Sequence, residues 1–488
     1  MSRSKNAAKR KRDAKPAALN AKRPKPTGAP PCPDLTDGAE RIEPKSLSAV
    51  VSEEEVDITV DTLRSLAEYP SVIKSKGCRE LRSAVYDFRQ ACTTGMVTST
   101  DANLTARVSA ALVDGKYIDA LVLLAEMRLR NETPKLGALC RWVRDLDCTS
   151  GLSQVDNTPG SKSRPELLRV MDAILRVTGS VDLRSGYLAS QTPSDPIALQ
   201  KPWDLRDEGT PFPMRASVLD GTLFESCPPG VKEKFTAIET IPGPERKPPN
   251  LHPAILYLSD NNAVPLSPTP PPITHHQHPL VPDLSIMKGV LTPEECKSII
   301  ASTETVGYLP DSPLRDDGSE SSILAHNVYW VVDEAFHDVL WDRVRHFIPS
   351  HLEGRKARSI NRRFRVYRYI PGAEYRVHFD GAWPPSGIHP TMGKYLYDAS
   401  PADAKQSSLL TFLVYLNDDF EGGETTFFTP SVREGVMNAH PVKPVMGSIA
   451  LFSHGETKAL LHEGTGVRKG AKYIIRTDVE YDVEAGRD

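Results

Sequence analysis

The 488-residue chain sets 60 Lys and Arg against 63 Asp and Glu, a net charge of −3 that gives no global pull towards nucleic acid. Its length exceeds one typical core and its 42 prolines predict linkers between folded parts, so a multidomain chain is expected. No stretch approaches the roughly 20 apolar residues of a membrane span. The seven cysteines are odd in number, scattered and without a Cys-x-x-Cys pair, which fits neither a disulfide framework nor a zinc site.

Residues 1–45 are basic at the start and almost free of large apolar side chains, the composition of a disordered basic tail. Lys9 to Arg12 and Lys22 to Lys25 form two basic clusters spaced as in bipartite nuclear import signals; a solvated tail with no address is the plainer alternative. No apolar run follows them, which argues against secretion and for an intracellular, nuclear protein.

Residues 46–180 read as an α-helical module. Leu81, Val85, Phe88 and Cys92 fall on one helix face, and Ile118, Leu121, Val122, Ala125 and Leu129 on another. Thr133 and Pro134 read as an N-cap and first-turn proline, with Leu136, Leu139, Val143 and Leu146 facing inward. Pro165 opens a further helix with Leu168, Met171, Ile174 and Leu175 inward and Gly179 at its end. Gly115 to Pro134 is similar to one unit of the tetratricopeptide and pentatricopeptide repeats, but no second copy follows at a period of about 34 residues, so a plain bundle is expected. Trp142, with Arg141 and Arg144, offers either a core residue or a surface for a protein partner.

Residues 181–282 read as a Pro-rich linker, partly packed, in which Asn250 to Leu258 is apolar enough to lie against a neighbour. His275, His276 and His278 have no carboxylate or cysteine nearby and no second shell, so they are not read as metal ligands.

Residues 283–485 form the candidate catalytic domain. Leu284 to Val290 is a strand, Thr292-Pro293-Glu294-Glu295 caps a helix running to about Thr303, and Glu334 to Phe347 is a second helix. Phe364, Val366 and Arg368 alternate with Arg365, Tyr367 and Tyr369 as a strand that ends at Pro371 and Gly372. Strand-like runs follow at Leu409 to Leu416, Gly423 to Phe428, Gly447 to Phe452 and Tyr473 to Val479. Short strands with flanking helices predict an α+β domain with a barrel or jelly-roll core. The insert from Gly381 to Gln406 has the length of a lid.

His378 and Asp380, a His-x-Asp pair just past the first of these strands, combine with His462 into a two-histidine, one-carboxylate face. Three such ligands hold a non-haem Fe(II) ion on one octahedral face and leave the other open. His389, His440 and His454 are read as ordinary histidines, and Glu463 and Asp478 as structural carboxylates. Lys472 and Arg476, four apart on a strand, face one side, and either can serve as the cation for a buried carboxylate.

The motif Tyr369-x-x-Gly372-x-x-Tyr375-x-x-His378-x-Asp380 is followed by Tyr415-Leu416-Asn417, by Phe420 to Thr425, and by Gly447 to Phe452. His462-x-Gly464 and Gly470-x-Lys472-Tyr473 complete the set. Together they resemble the 2-oxoglutarate- and Fe(II)-dependent dioxygenases, and within them the prolyl 4-hydroxylase branch. The resemblance implies a double-stranded β-helix core, His378, Asp380 and His462 as catalytic iron ligands, and Lys472 as the partner of the distal carboxylate of 2-oxoglutarate, assisted by Tyr369 and Tyr415. It implies O2 and 2-oxoglutarate as co-substrates, ascorbate as the reductant that keeps iron ferrous, and hydroxylation of an unactivated C–H bond. The substrate expected is a prolyl residue of an intracellular protein, with a small molecule as the alternative. Nucleic-acid demethylases of this superfamily carry an Arg-x5-Arg pair after the distal histidine; here Arg468 is followed six residues on by Ile474, which argues against nucleic acid. A non-catalytic helical interaction protein is the remaining alternative, and the intact ligand set speaks against it.

Overall fold

The computed structural model describes residues 50–94, 103–148, 165–178, 196–246, 249–269, 271–313, 325–454 and 458–484. The basic tail with both its clusters, and Gly179, lie outside the described residues. The chain divides into two compact units, Met1–Ser83 and Ala84–Asp488.

In the first unit, α1 (Glu53–Ala67) opens on a capping box between Ser52 and Glu55, and none of its residues is buried. The short α2 (Pro70–Ile73) follows. Helix α3 (Arg79–Thr94) runs across the boundary, and the face expected to pack inward leaves Val85 and Phe88 exposed.

In the second unit two sheets face each other. The larger runs in the order Phe235–Ile241, Ala254–Ser259, Ala325–Val331, Arg363–Tyr369, Lys472–Asp482, Gln406–Tyr415, Ile449–Ser453, Leu284–Lys288, Thr274–Gln277. The smaller runs Ile197–Leu199, Met437–Val442, Thr425–Pro430, Leu461–Gly464, Tyr375–His378. Alternation along each strand sends Tyr367, Tyr369, Leu413, Tyr415 and Phe452 of the larger sheet against Phe427 and Val442 of the smaller. The residues between them, Phe364, Val366, Phe412 and Val414, turn to the opposite face of the larger sheet.

That opposite face is covered by α9 (Pro293–Val306) and α10 (Glu334–Val344), through Cys296, Ile299, Ile300, Phe336, Leu340 and Val344. The expected capping box forms: Thr292 accepts from the Glu295 amide and Glu295 accepts from the Thr292 amide. The short α8 (Met214–Asp220) adds Met214 to the same core. The expected α+β class is the observed one.

The outer face of the smaller sheet is covered by α4 (Leu104–Val113), α5 (Tyr117–Leu129), α6 (Leu136–Leu146) and α7 (Pro165–Thr178). Their buried residues form one cluster with Val377, Phe379, Phe428, Met437, Ala439 and Leu461 of the sheet region. Trp142 is core, its indole N–H donating to Ser109 Oγ at 2.7 Å. Polar ties join the layers: Arg176 pairs with Asp172 at 2.7 Å and donates to the Ser431 carbonyl, and Asp172 accepts from the Gly435 amide.

Three expectations are corrected. Helix α5 buries Ala120, Leu123, Leu124 and Met127, and leaves Ile118 and Leu129 77% and 85% exposed. Its apolar residues surround most of the helix, so periodicity alone selects no unique face. Helix α6 starts at Leu136 with Lys135 at its N-cap, and Pro134 is buried ahead of the helix, so Thr133 caps nothing. The stretch read as a linker instead supplies strands: Ile197–Leu199 pairs with Met437–Val442, Phe235–Ile241 and Ala254–Ser259 extend the larger sheet, and Thr274–Gln277 edges it. Prolines sit between these short strands rather than within a structureless run. His278 caps a turn, its Nδ1 accepting from the Leu280 and Val281 amides.

Arg343 and Glu295 form a buried two-pronged pair, at 2.9 and 2.8 Å, that joins α10 to α9. Removing the cation strands a buried carboxylate. Arg343→Met is therefore expected to lower the unfolding free energy by about 3 to 5 kcal/mol, measured by urea denaturation.

Candidate active site

The strand Tyr375–His378 pairs antiparallel with Leu461–Gly464, and a bulge between Tyr375 and His378 sets His378 directly opposite His462. Their ring centroids are 4.3 Å apart. Asp380 follows just past the strand end, with Oδ1 3.5 Å from His378 Nε2 and Oδ2 3.6 Å from His462 Nε2. One ligand atom from each of the three residues lies within 4.8 Å of the others. This is the set that sequence spacing brought together.

The chemistry of these donors suits a divalent metal. His378 Nδ1 lies 2.8 Å from the Arg376 carbonyl and His462 Nδ1 lies 3.0 Å from the Leu460 carbonyl. Carbonyls only accept, so each Nδ1 carries the proton and each Nε2 presents a lone pair to its neighbours. Burial, with the His378 imidazole beside it, pushes His462 down to about 3 and keeps it neutral. Burial opposes charge on Asp380, but Arg476 outweighs it and holds the carboxyl well below the usual carboxylate range. Phe427 and Phe452 brace the His462 ring, with centroids 5.6 and 4.7 Å away.

A hydrogen-bonded chain that the sequence did not reveal stands behind Asp380. Thr411 Oγ1 donates to Asp380 Oδ2 at 2.7 Å, His454 Nδ1 lies 2.8 Å from that hydroxyl, and Ser408 Oγ lies 2.8 Å from His454 Nε2. Thr411 spends its proton on the carboxylate, so His454 donates through Nδ1 and accepts through Nε2. Burial pushes His454 down to about 4, which keeps that neutral form in place. A period of two puts positions 408 and 411 on opposite faces. The register shift between Ser408 and Leu410 brings them to one face.

Lys472 and Arg476 line the same cavity but in different states. Arg476 is already engaged: its Nε lies 3.4 Å from Asp380 Oδ1 and its Nη2 3.1 Å from Asp478 Oδ1. Asp478 is thus a neighbour of the ligand set, pushed up to about 7 by burial against the pull of Arg476. Lys472 is 3% exposed and makes no ion pair among the described residues. Its Nζ lies 5.6 Å from the Tyr369 ring centre and 5.8 Å from that of Tyr415, whose hydroxyl donates to Thr425 Oγ1. Burial brings Lys472 down to about 8, with Glu424 opposing.

The triad opens into a cavity of about 1170 Å³. It is lined by Tyr329, Tyr367 and Tyr375, by the hairpin residues Ile241 and Ala254, and by Cys140, Val143 and Arg144 of α6. Of the insert after Asp380, Gly381 and Trp383 line the cavity. The insert is tied at its base: the Trp383 amide donates to Ser408 Oγ, the Ser386 amide to Asn361 Oδ1, and Asn361 Nδ2 to the Pro384 carbonyl.

Two imidazoles and a carboxylate at the mouth of a two-sheet β core, with a buried free cation deeper in, are the parts of a non-haem iron oxygenase centre. Residues 364–477 match the model of the 2OG-Fe(II) oxygenase superfamily. The matched stretch takes in the triad, Lys472 and Arg476. No curated protein matches the chain. Among solved structures it is similar to the viral collagen prolyl hydroxylase of Paramecium bursaria Chlorella virus-1 in its 2OG complex, at 23% identity over 41% of this chain and 96% of that one, TM-score 0.27. A Pseudomonas putida prolyl-4-hydroxylase aligns at 19% identity over 42% of this chain and 94% of that one, TM-score 0.25. A Trichoplax adhaerens prolyl hydroxylase in complex with a hypoxia inducible factor peptide fragment aligns at 15% identity over 35% and 70%, TM-score 0.24.

Thr411→Val keeps the shape of the side chain and removes the proton that holds Asp380. Metal affinity is expected to fall about 10- to 100-fold, read by anaerobic Fe(II) titration, with circular dichroism unchanged.

Proposed function

We propose that this dioxygenase hydroxylates a prolyl residue of an intracellular protein. The observation that carries the polypeptide part of this reading is the cavity at the triad: about 1170 Å³, open, and walled by several separate elements. Pockets for small ligands run to roughly 300–1,000 Å³. The prolyl part rests on the sequence motifs from Tyr369 to Lys472.

His378, Asp380 and His462 would hold Fe(II), and Lys472 would hold the distal carboxylate of 2-oxoglutarate. When bound, these groups supply the oxidising chemistry, in which 2-oxoglutarate gives succinate and CO2 and one atom of O2 enters a C–H bond. The chain's own work is to bind, orient and exclude water. Lys472 is the better partner for the distal carboxylate because it is unpaired, whereas Arg476 already neutralises Asp380 and Asp478. A dicarboxylate end brought against a buried ammonium satisfies both charges. Tyr369 and Tyr415 wall that end, and Thr411 and His454 keep Asp380 aimed at the metal position.

Ascorbate would keep the iron reduced between turnovers. The two basic clusters of the tail support a nuclear location, and no helix among the described residues is long and apolar enough to cross a membrane. The helical layer would bind a protein partner through surfaces it leaves exposed, such as Ile118 and Leu129.

The first test is succinate release from 2-oxoglutarate by the purified chain with Fe(II) and ascorbate. Release is expected from the wild type and not from Asp380→Ala; equal release from both would remove the triad from the reaction. Prolyl chemistry is checked by peptide mass spectrometry for a gain of one oxygen on proline.

A second test follows from the buried ammonium. Lys472 is cationic below about 8 and loses its charge as pH rises through that value. Affinity for 2-oxoglutarate should therefore weaken by about tenfold per unit well above it. Lys472→Arg, charged throughout, should flatten the profile, and a wild-type affinity independent of pH up to 9.5, roughly the reach of a lysine titration, would move the role elsewhere.

A further inference from the structure

The strand Arg363–Tyr369 turns Arg363, Arg365, Tyr367 and Tyr369 into the cavity that holds the triad. Most cations around this groove are already matched. Arg246 and Arg365 share Asp311, at 2.9 and 2.6 Å, and Arg376 takes Asp147 at 2.7 Å. Arg363 differs: its guanidinium is braced over the Tyr329 and Trp383 rings, 5.5 and 4.8 Å from their centroids, and it makes no ion pair among the described residues. Asp478 on the neighbouring strand feels the Arg363 charge but is ion-paired with Arg476.

A guanidinium braced by two rings has lost much of its freedom before any ligand arrives, and its planar set of N–H donors matches a carboxylate. Its place is informative too. Arg365 stands across the strand pair from Arg476, which reaches the ligand Asp380. Arg363 is one strand period further out, roughly 7 Å. A group bound there is near the reacting residue but is not the reacting residue.

We propose that Arg363 is a specificity residue that pairs with a carboxylate of the polypeptide substrate, an aspartate or glutamate within about four residues of the hydroxylated one. This rests on the polypeptide reading of the cavity. The substrate class it names is an acidic proline-containing segment.

The test uses the full chain and two readouts. Matched proline peptides, bearing Glu, Gln or Lys near the proline, are assayed for oxygen gain with Fe(II), 2-oxoglutarate and ascorbate. The same peptides, fluorescently labelled, are titrated by anisotropy into protein loaded with Mn(II) and N-oxalylglycine. The wild type should favour Glu over Gln by about tenfold in KM and in Kd, the factor typical of one charge-assisted pair. Arg363→Gln should erase that preference, and Arg363→Glu should transfer it to the Lys peptides, an inversion that a merely structural role does not produce. Hydroxylation with equal constants for Glu and Gln peptides, or an Arg363→Gln variant that weakens both alike, overturns the proposal and leaves the prolyl reading standing. Glu-dependent, Arg363-dependent binding without any oxygen gain on proline does the converse. Neither turnover nor Glu-dependent binding overturns the acidic-segment proposal.

Discussion

A carboxylate taken out of water stays ionised only if its surroundings replace the hydration it has lost, and the centre of this protein is built around one such group. Asp380 is buried; Arg476 and the Thr411 hydroxyl hold its charge and its direction, and the Nε2 atoms of His378 and His462 converge on the same carboxylate. These residues come from four strands of two sheets. The two-sheet core is therefore not merely a scaffold on which ligands happen to sit. It is what allows residues far apart in sequence to surround one anion at hydrogen-bond distance.

The same argument separates the two candidate cations. Both lie on one strand and both face the cavity, so residue type and spacing cannot rank them. Pairing does. A guanidinium already set between two carboxylates contributes to the stability of the site, and withdrawing it for a ligand would leave Asp380 uncompensated. An ammonium with no anion beside it has a depressed affinity for its proton and gains most from an incoming carboxylate. The deeper position suits the free charge, and the position beside the metal ligands suits the spent one.

Much of the catalytic half was legible because its elements carry local signals. The Thr292 capping box, the alternating run from Phe364 and the His-x-Asp pair each say what they are within a few residues. What stayed hidden depends on contacts the sequence does not encode locally. His454 looked ordinary because the bulge that turns both Ser408 and Thr411 towards it is a property of pairing with Lys472–Asp482, not of either strand alone. Helix α5 misled because it is apolar on most sides, and the choice of face is made by α4, α7 and the sheet. The region around residues 197–277 read as linker because its strands are short and bounded by prolines; they are stable because they pair into sheets whose other strands lie far along the chain.

The helical layer has a closer relation to the site than its distance in sequence suggests. Val377 and Phe379 alternate with His378 and Asp380, so that while the two ligands face the cavity, the two apolar residues face α6 and α7 and share their core. Leu461 stands in the same relation to His462. The face of the sheet that carries the ligands can be held in register only if its other face is buried, and α4 to α7 are what bury it. Cys140 of α6 lies 3.6 Å from the Phe379 carbonyl, within the segment that presents Asp380. Without these helices the three apolar residues that flank the ligands would meet water, and the metal centre would lose the packing that fixes its geometry before it lost any residue that touches the metal.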